Sequence, residues 1–459
     1  MNSRYPLNMG YWLCFLLGLP KRRWYRMKSH AKISTILSLL FMGLGQIYNR
    51  QYMKGVLFIC LEIYIVVFWS LPFRNAMWGL TTLGETTQKR IGFKIQPGDH
   101  SIFLMIEGII FLICGLLLIW VYYLNIRDAR RVGIARDLGQ RPNHFKETLH
   151  VIAEKGFPYL LLTPSIIFTS FLTILPLLFG IAIAFTNYSG PNHLPPAALV
   201  DWVGFQTFID LFNLKTWNRT FLGVFEWTII WAILATVTTF FTGLLFAVLL
   251  NSKGIRFRAF WRSIYILPWA IPAFVSILIM RNLFNGEFGP INQYLEAIGL
   301  AGIPWLSDPF WAKFTLVVVN IWFGFPFWMV LMSGVMTGID KELYEAAEVD
   351  GASPRQRFWR ITMPIVMFST APLLIMQFAG NFNNFNMIYL LTQGGPVNVD
   401  YSYAGSTDIL ISWIYKLTLD QSQFNMASVV SILIFIVIAS ISVWNFRRTR
   451  AFKEEDMMS

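Results

Sequence analysis

Eight apolar runs recur along the chain, at 55–73, 102–124, 157–186, 225–250, 263–283, 314–337, 365–391 and 426–446. A hydrocarbon core about 30 Å thick takes about 20 helical residues to cross, and a backbone inside it must satisfy its own hydrogen bonds. The expected fold class is therefore an all-α polytopic membrane protein with about eight transmembrane helices. Charged residues fill only 14% of the 459 positions, against about 25% in soluble domains. Pro176, Pro268, Pro272 and Pro326 interrupt three of the runs, which neighbouring helices tolerate by pairing the freed backbone groups.

A ninth apolar piece, 33–48, ends in GLGQIYNRQ and has only sixteen residues. If it crossed the bilayer, every later segment would change side. With the N-terminus cytoplasmic and 33–48 interfacial or re-entrant, inside segments hold 28 of the 37 Lys and Arg and outside segments hold seven. Such a bias sets orientation. It predicts a multi-pass protein of the cell membrane with both termini and the 338–364 segment in the cytoplasm. The net charge of +12 then marks the cytoplasmic face and does not point to nucleic acid. Cys14, Cys60 and Cys114 lie in apolar surroundings, an odd set that argues against a disulfide framework or a metal site. Lys21, Arg22 and Arg23 follow the apolar run at 11–20, the wrong order for a cleavable signal.

Two organisational blocks emerge. Residues 1–156 hold a basic start, two spans and the stretch RDARRVGIARDLGQRPNHFK; residues 157–459 hold six further spans. The longest outer segment, 187–224, has 38 residues, too few for a sizeable domain of its own.

Residues 340–364 form a polar island among the later spans. Asp340 can N-cap a short helix that sets Leu343, Ala346 and Ala347 on one face. Gly351 suits the left-handed residue that ends it. Ser353, with Pro354 at N1 and Gln356 at N3, reads as a capping box opening a second short helix that closes at Pro364. An alanine-faced helix lets another surface approach closely, so the island is either a docking knob or an ordinary capped loop.

Within the spans on either side, Gln377, Asn381 and Asn384 recur at i, i+4, i+7, as do Asn320, Phe323, Gly324 and Phe327 at i, i+3, i+4, i+7. Amides facing lipid are costly, so both faces should point into the bundle. Trp269 lies between two prolines in a neighbouring span. Amides that donate and accept, interleaved with flat rings, suit a neutral polyhydroxylated ligand. The alternative is hydrogen-bonding glue between helices. Residues 314–337 and 365–399 contain no Asp, Glu, Lys or Arg, which disfavours an ion-coupled symporter. Glu62 and Glu107 lie in the first two spans and read as structural. No convergent carboxylate or metal cluster suggests an enzyme. No G-x-x-x-x-G-K-[ST] loop is present, so nucleotide would bind elsewhere.

The string Glu345-Ala346-Ala347, Asp350-Gly351-Ala352, Phe358, Ile361 and Pro364 resembles the cytoplasmic coupling loop of permease subunits of binding-protein-dependent ABC importers, with Met363 where leucine is usual. NFNNFNMIYLLTQGGP at 381–396 and YAGSTDILISWIYKL at 403–417 resemble the MalF-like, maltose/maltodextrin branch of that family. The resemblance implies a type I importer fold with a six-helix core, its transmembrane domain at 225–446, and transport of maltodextrin or a related oligosaccharide by alternating access. It implies a sugar site of Asn320, Phe323, Gly324, Phe327, Gln377, Asn381, Asn384, Trp269 and Ala273. It also implies coupling to an ATPase through Glu345, Ala346, Ala347, Asp350, Gly351, Ala352, Phe358 and Pro364. The implied partners are a second permease subunit, an ATPase dimer that binds ATP and Mg, an extracellular solute-binding protein and membrane lipid, with no cofactor on this chain. Gln377 and Phe327 depart from the enterobacterial pattern, and the large insertion after the third span is missing here.

Overall fold

The computed structural model describes residues 29–448 apart from 92–93, 144–146, 148–149, 151–152, 155, 195–197 and 253. The expectations placed on Cys14, the 11–20 run and both chain ends lie outside the described residues. In order, the chain forms α1 (Ser29–Leu40), α2 (Leu44–Tyr48), α3 (Tyr52–Thr82), the strands β1 (Lys89–Ile91) and β2 (Lys94–Gln96), α4 (Ser101–Asp137) and α5 (Phe157–Ala184). It continues with α6 (Gln206–Asn213), α7 (Lys215–Asn251), α8 (Arg258–Ala270), α9 (Ala273–Leu283), α10 (Pro290–Ala297) and α11 (Pro309–Thr337). The last elements are α12 (Lys341–Val349), α13 (Pro354–Phe382), α14 (Phe385–Thr392), α15 (Leu410–Tyr415) and α16 (Phe424–Arg448).

Among the described residues, α3, α4, α5, α7, α11 and α13 are the six helices long and apolar enough to cross a bilayer. The pair α8 and α9 makes a seventh span, bent by 94° at Ile271 and Pro272. Pro272 has no N–H to continue the ladder and drives Ile271 into the extended region. The eighth apolar stretch lies in α16, over Phe424–Ser440. The helical fold class is thus the observed one, with one antiparallel hairpin added among the described residues, in which Lys89 pairs with Gln96. Asp99 closes that loop by accepting from the backbone of Glu85 and Thr86 and from the Thr86 hydroxyl. These bonds hold its carboxyl below the ordinary range.

The chain divides into two compact units, Met1–Ala182 with Asn192–Asp201, and Ile183–Pro191 with Trp202–Ser459. Most of α5 groups with the first unit. In the first unit, 33–48 becomes two short helices. At 12 residues, α1 is about 18 Å long, short of a bilayer core. Its buried face is Ala31, Ser34, Thr35 and Ser38, packed on α4 through side-chain bonds from Ser34 and Asn49 to the Ala129 carbonyl. Gln46 donates to the Asn125 carbonyl and to Asp128, which also pairs with Lys54 at 2.6 Å. Glu62, expected to be structural, accepts from the backbone N–H of Met42 in the turn between α1 and α2.

In the second unit the central pair is α7 with α11. Gly243 lets the Trp328 stem approach so closely that a Cβ would lie 2.3 Å from it. Trp231, Trp328, Met329 and Leu316 are fully buried in the apolar clusters on this pair. The segment between α14 and α16 is itself built. Asp408, fully buried, accepts from Gly405 N–H, the Ser412 hydroxyl and the Lys416 ammonium at 2.6–2.8 Å. Burial pushes its carboxyl up while these donors pull it down.

Candidate functional site

The docking segment folds from its local signals. Asp340 occupies the N-cap of α12, without a side-chain cap bond. Asp350 is the C-cap, and Gly351 follows at φ +80°. Ser353 and Gln356 complete the capping box: the Ser353 N–H donates to Gln356 Oε1 at 2.8 Å, and the Gln356 N–H donates to Ser353 Oγ at 3.3 Å. Glu345, Ala346, Asp350 and Gly351 are exposed, Ala347, Ala352 and Phe358 half-buried. Val349 is 88% exposed, an apolar side chain offered outward beside the alanines. Two ties hold α12 to the start of α13, an ion pair from Arg357 to Glu348 at 2.6 Å and a bond between Tyr344 Oη and Thr362 Oγ1 at 2.8 Å.

One expectation is corrected here. Pro364 does not close a second short helix, because α13 runs unbroken from Pro354 to Phe382. The turn Phe358–Thr362 just before the proline is widened to π geometry. A widened turn accommodates the ring and the missing N–H without ending the helix.

The polar seam is divided between two roles. Asn320 is buried and donates to the Ala235 carbonyl at 3.3 Å; Asn381, only 2% exposed, donates to Thr236 Oγ1 at 3.0 Å. Gly324 packs on Thr239, where an added Cβ would lie 2.5 Å from its methyl. These three residues hold α11 and α13 to one short stretch of α7. Gln377 stays half-buried and reaches Asn381 Oδ1 at 3.5 Å. Phe327, half-buried, meets the Trp269 ring at 6.1 Å between centroids. Trp269 is 50% exposed and Ala273 exposed, on either side of the α8–α9 break. Phe323 is half-buried against Trp322.

Asn384 departs from the expected continuous face. The helix ends at Phe382 with Asn383 as its C-cap, and Asn384 instead caps α14 by accepting from the Met387 N–H. Asparagine competes with helix continuation through such local bonds, so the third amide sits beyond the helical face that carries Gln377 and Asn381. The sequence reading missed the α7 side of the seam. Its signal was present: Ala232, Thr236, Thr239 and Gly243 recur at i, i+4, i+7, i+11, a small-residue stripe suited to close helix packing.

Residues 239–451 match the family model described as binding-protein-dependent transport system inner membrane component. The chain is 43% identical over 428 residues to the galactooligosaccharides transport system permease protein of Bacillus subtilis, covering 93% of this chain and 99% of that one. It is 40% identical over 426 residues to the maltodextrin transport system permease protein of the same organism, covering 91% and 95%. A solved bacterial ABC transporter that imports the acidic polysaccharide alginate shares the fold. The TM-score is 0.53 at 24% identity, over 66% of this chain and 99% of that one.

Proposed function

Because this chain belongs to the inner-membrane permease components of binding-protein-dependent transport systems, we propose that it forms part of the path for a neutral oligosaccharide, driven by a separate ATPase. The observation that carries this reading is the continuity of α13. Its first turns are tied to α12 by Tyr344 and Arg357, and its last turns carry Gln377 and Asn381. At 29 residues it is a strut about 43 Å long, so movement of the docking segment reaches the amide seam without an intervening joint.

The Lys and Arg distribution supports a cytoplasmic position for α12 and both chain ends, where the ATPase closes on α12. A second permease subunit faces the seam, and a solute-binding protein delivers the sugar from outside. Closure of the ATPase pair opens the chamber outward, and its release returns the chamber to the cytoplasm. Trp269, Phe327 and Phe323 supply ring faces and Gln377 supplies amide bonds, while Asn320, Gly324 and Asn381 set the wall behind them. The uncharged seam suits a neutral sugar. The names of the relatives point to two substrate classes, maltodextrins and galacto-oligosaccharides. ATP-dependent uptake of radiolabelled maltotriose and galactotriose by proteoliposomes holding the full complex tests the reading. Uptake of neither sugar, or uptake without ATP, overturns it.

A further inference from the structure

A recess of about 690 Å³ opens where the end of α9, the approach to α11 and the end of α14 meet. It lies at the end of α11 opposite the docking segment. Ser307 precedes the helix and α12 follows it, and the helix itself has 29 residues, about 43 Å. Its volume falls in the range of small-ligand sites, about 300–1,000 Å³.

Thr392 on the wall has its hydroxyl engaged with Ile388, Thr407 and Gly394, but several other polar groups there are uncommitted. Among the described residues, the side chains of Arg281, Asn282 and Ser307 have no hydrogen-bond or ion-pair partner. Asn285 spends its carbonyl on the backbone N–H groups of Glu287 and Phe288 at 2.9 and 2.8 Å, which holds the turn and leaves its amide protons free. Glu287 adds a carboxylate acceptor. A guanidinium, two amides, a hydroxyl and a carboxylate over an apolar floor match vicinal hydroxyls, which both donate and accept.

The recess lies one short helix away from the end of α13, which carries Gln377 and Asn381. Thr392, on its wall, is the last residue of α14, and Asn384 caps the first turn of the same helix. Eight residues separate the two ends, about 12 Å. We propose that this recess is a second carbohydrate subsite, holding one end of a neutral oligosaccharide while the other end enters the chamber at the seam. The inference rests on the proposed oligosaccharide reading and adds a dependence on chain length.

The test uses the complete complex with Asn282→Ala and Ser307→Trp, the second filling the recess from an exposed position. Uptake is measured over two ladders, maltose to maltoheptaose and the galacto-oligosaccharides of matching length. Loss of one or two hydrogen bonds raises KM for the long members roughly three- to tenfold, with the disaccharides unchanged. Docking of the unliganded binding protein is unchanged too. Equal losses at all lengths, unaltered uptake of long chains, or weakened docking of the unliganded binding protein would each overturn the subsite, the last assigning the recess to a protein contact. Wild-type uptake of neither ladder sinks the oligosaccharide reading itself, a different failure from variants that match an active wild type.

Discussion

The Asn381 amide donates to the Thr236 hydroxyl at 3.0 Å, joining two helices through residues 145 positions apart in the chain. One turn away, the indole N–H of Trp231 donates to the Asn381 carbonyl at 3.1 Å, so the last turn of α13 is held to α7 from both side chain and backbone.

A double-mutant cycle of Asn381→Ala and Thr236→Val should return a coupling of about 0.6 kcal/mol, and no more than about 1.7, the range of hydrogen bonds between membrane helices. Reversible unfolding of the purified chain in detergent reads it. Zero coupling would mean that the bond adds nothing to helix pairing.

Gly351 stands at φ +80° with open space where a Cβ would point. The cost of a side chain there is conformational, about 1–2 kcal/mol, which is about a 5–30-fold change in the population of the docked turn. Gly351→Asn should retain more ATP-driven uptake than Gly351→Val, because Asn visits the left-handed region more readily. Both should insert in the membrane at wild-type levels and leave sugar binding to the external binding protein intact. Equal uptake by Val and Asn variants would remove the turn from the coupling argument.

Asp408 and Lys416 form a pair in which the carboxylate side chain is 0% and the lysine 19% exposed. Removing one partner strands a buried charge, so Asp408→Asn should lower stability by about 3–5 kcal/mol. Asp408→Asn combined with Lys416→Met should recover part of that loss. Thermal unfolding of the wild type, Asp408→Asn, Lys416→Met and the double variant decides it, and additive losses would count against the pairing.

Trp269 is half exposed and touches the Phe327 ring. Trp269→Ala should leave unfolding within about 0.5 kcal/mol of wild type while raising KM for uptake, with Trp269→Phe intermediate. A fall in stability without any effect on KM would make the ring structural.

The legible parts of this fold are those governed by near neighbours. The apolar runs announce the spans, and Gly351, Ser353 and Gln356 announce the ends of α12 and the start of α13, because a cap needs only residues three or four positions away. The seam was half legible. Its amides stand at helical spacing, yet whether Asn320 and Asn381 meet a ligand or a helix depends on Ala235 and Thr236, which no local pattern links to them. Asn384 was misread for the opposite reason: a local preference for capping overrode the period that Gln377 and Asn381 begin. Pro364 carries a breaker signal that the widened turn before it absorbs.

That widened turn makes α13 a spliced rod, its short docking end, Pro354–Arg357, out of phase with the long stretch Met363–Phe382 by the one residue inserted at Phe358–Thr362. Excising Trp359 would restore ordinary winding and rotate the Met363–Phe382 stretch against the docking end by about 100°, with Phe358, Gln377 and Asn381 all still present in the chain. Such a protein would grip its motor and keep its sugar-facing groups, but the two would no longer be keyed to each other.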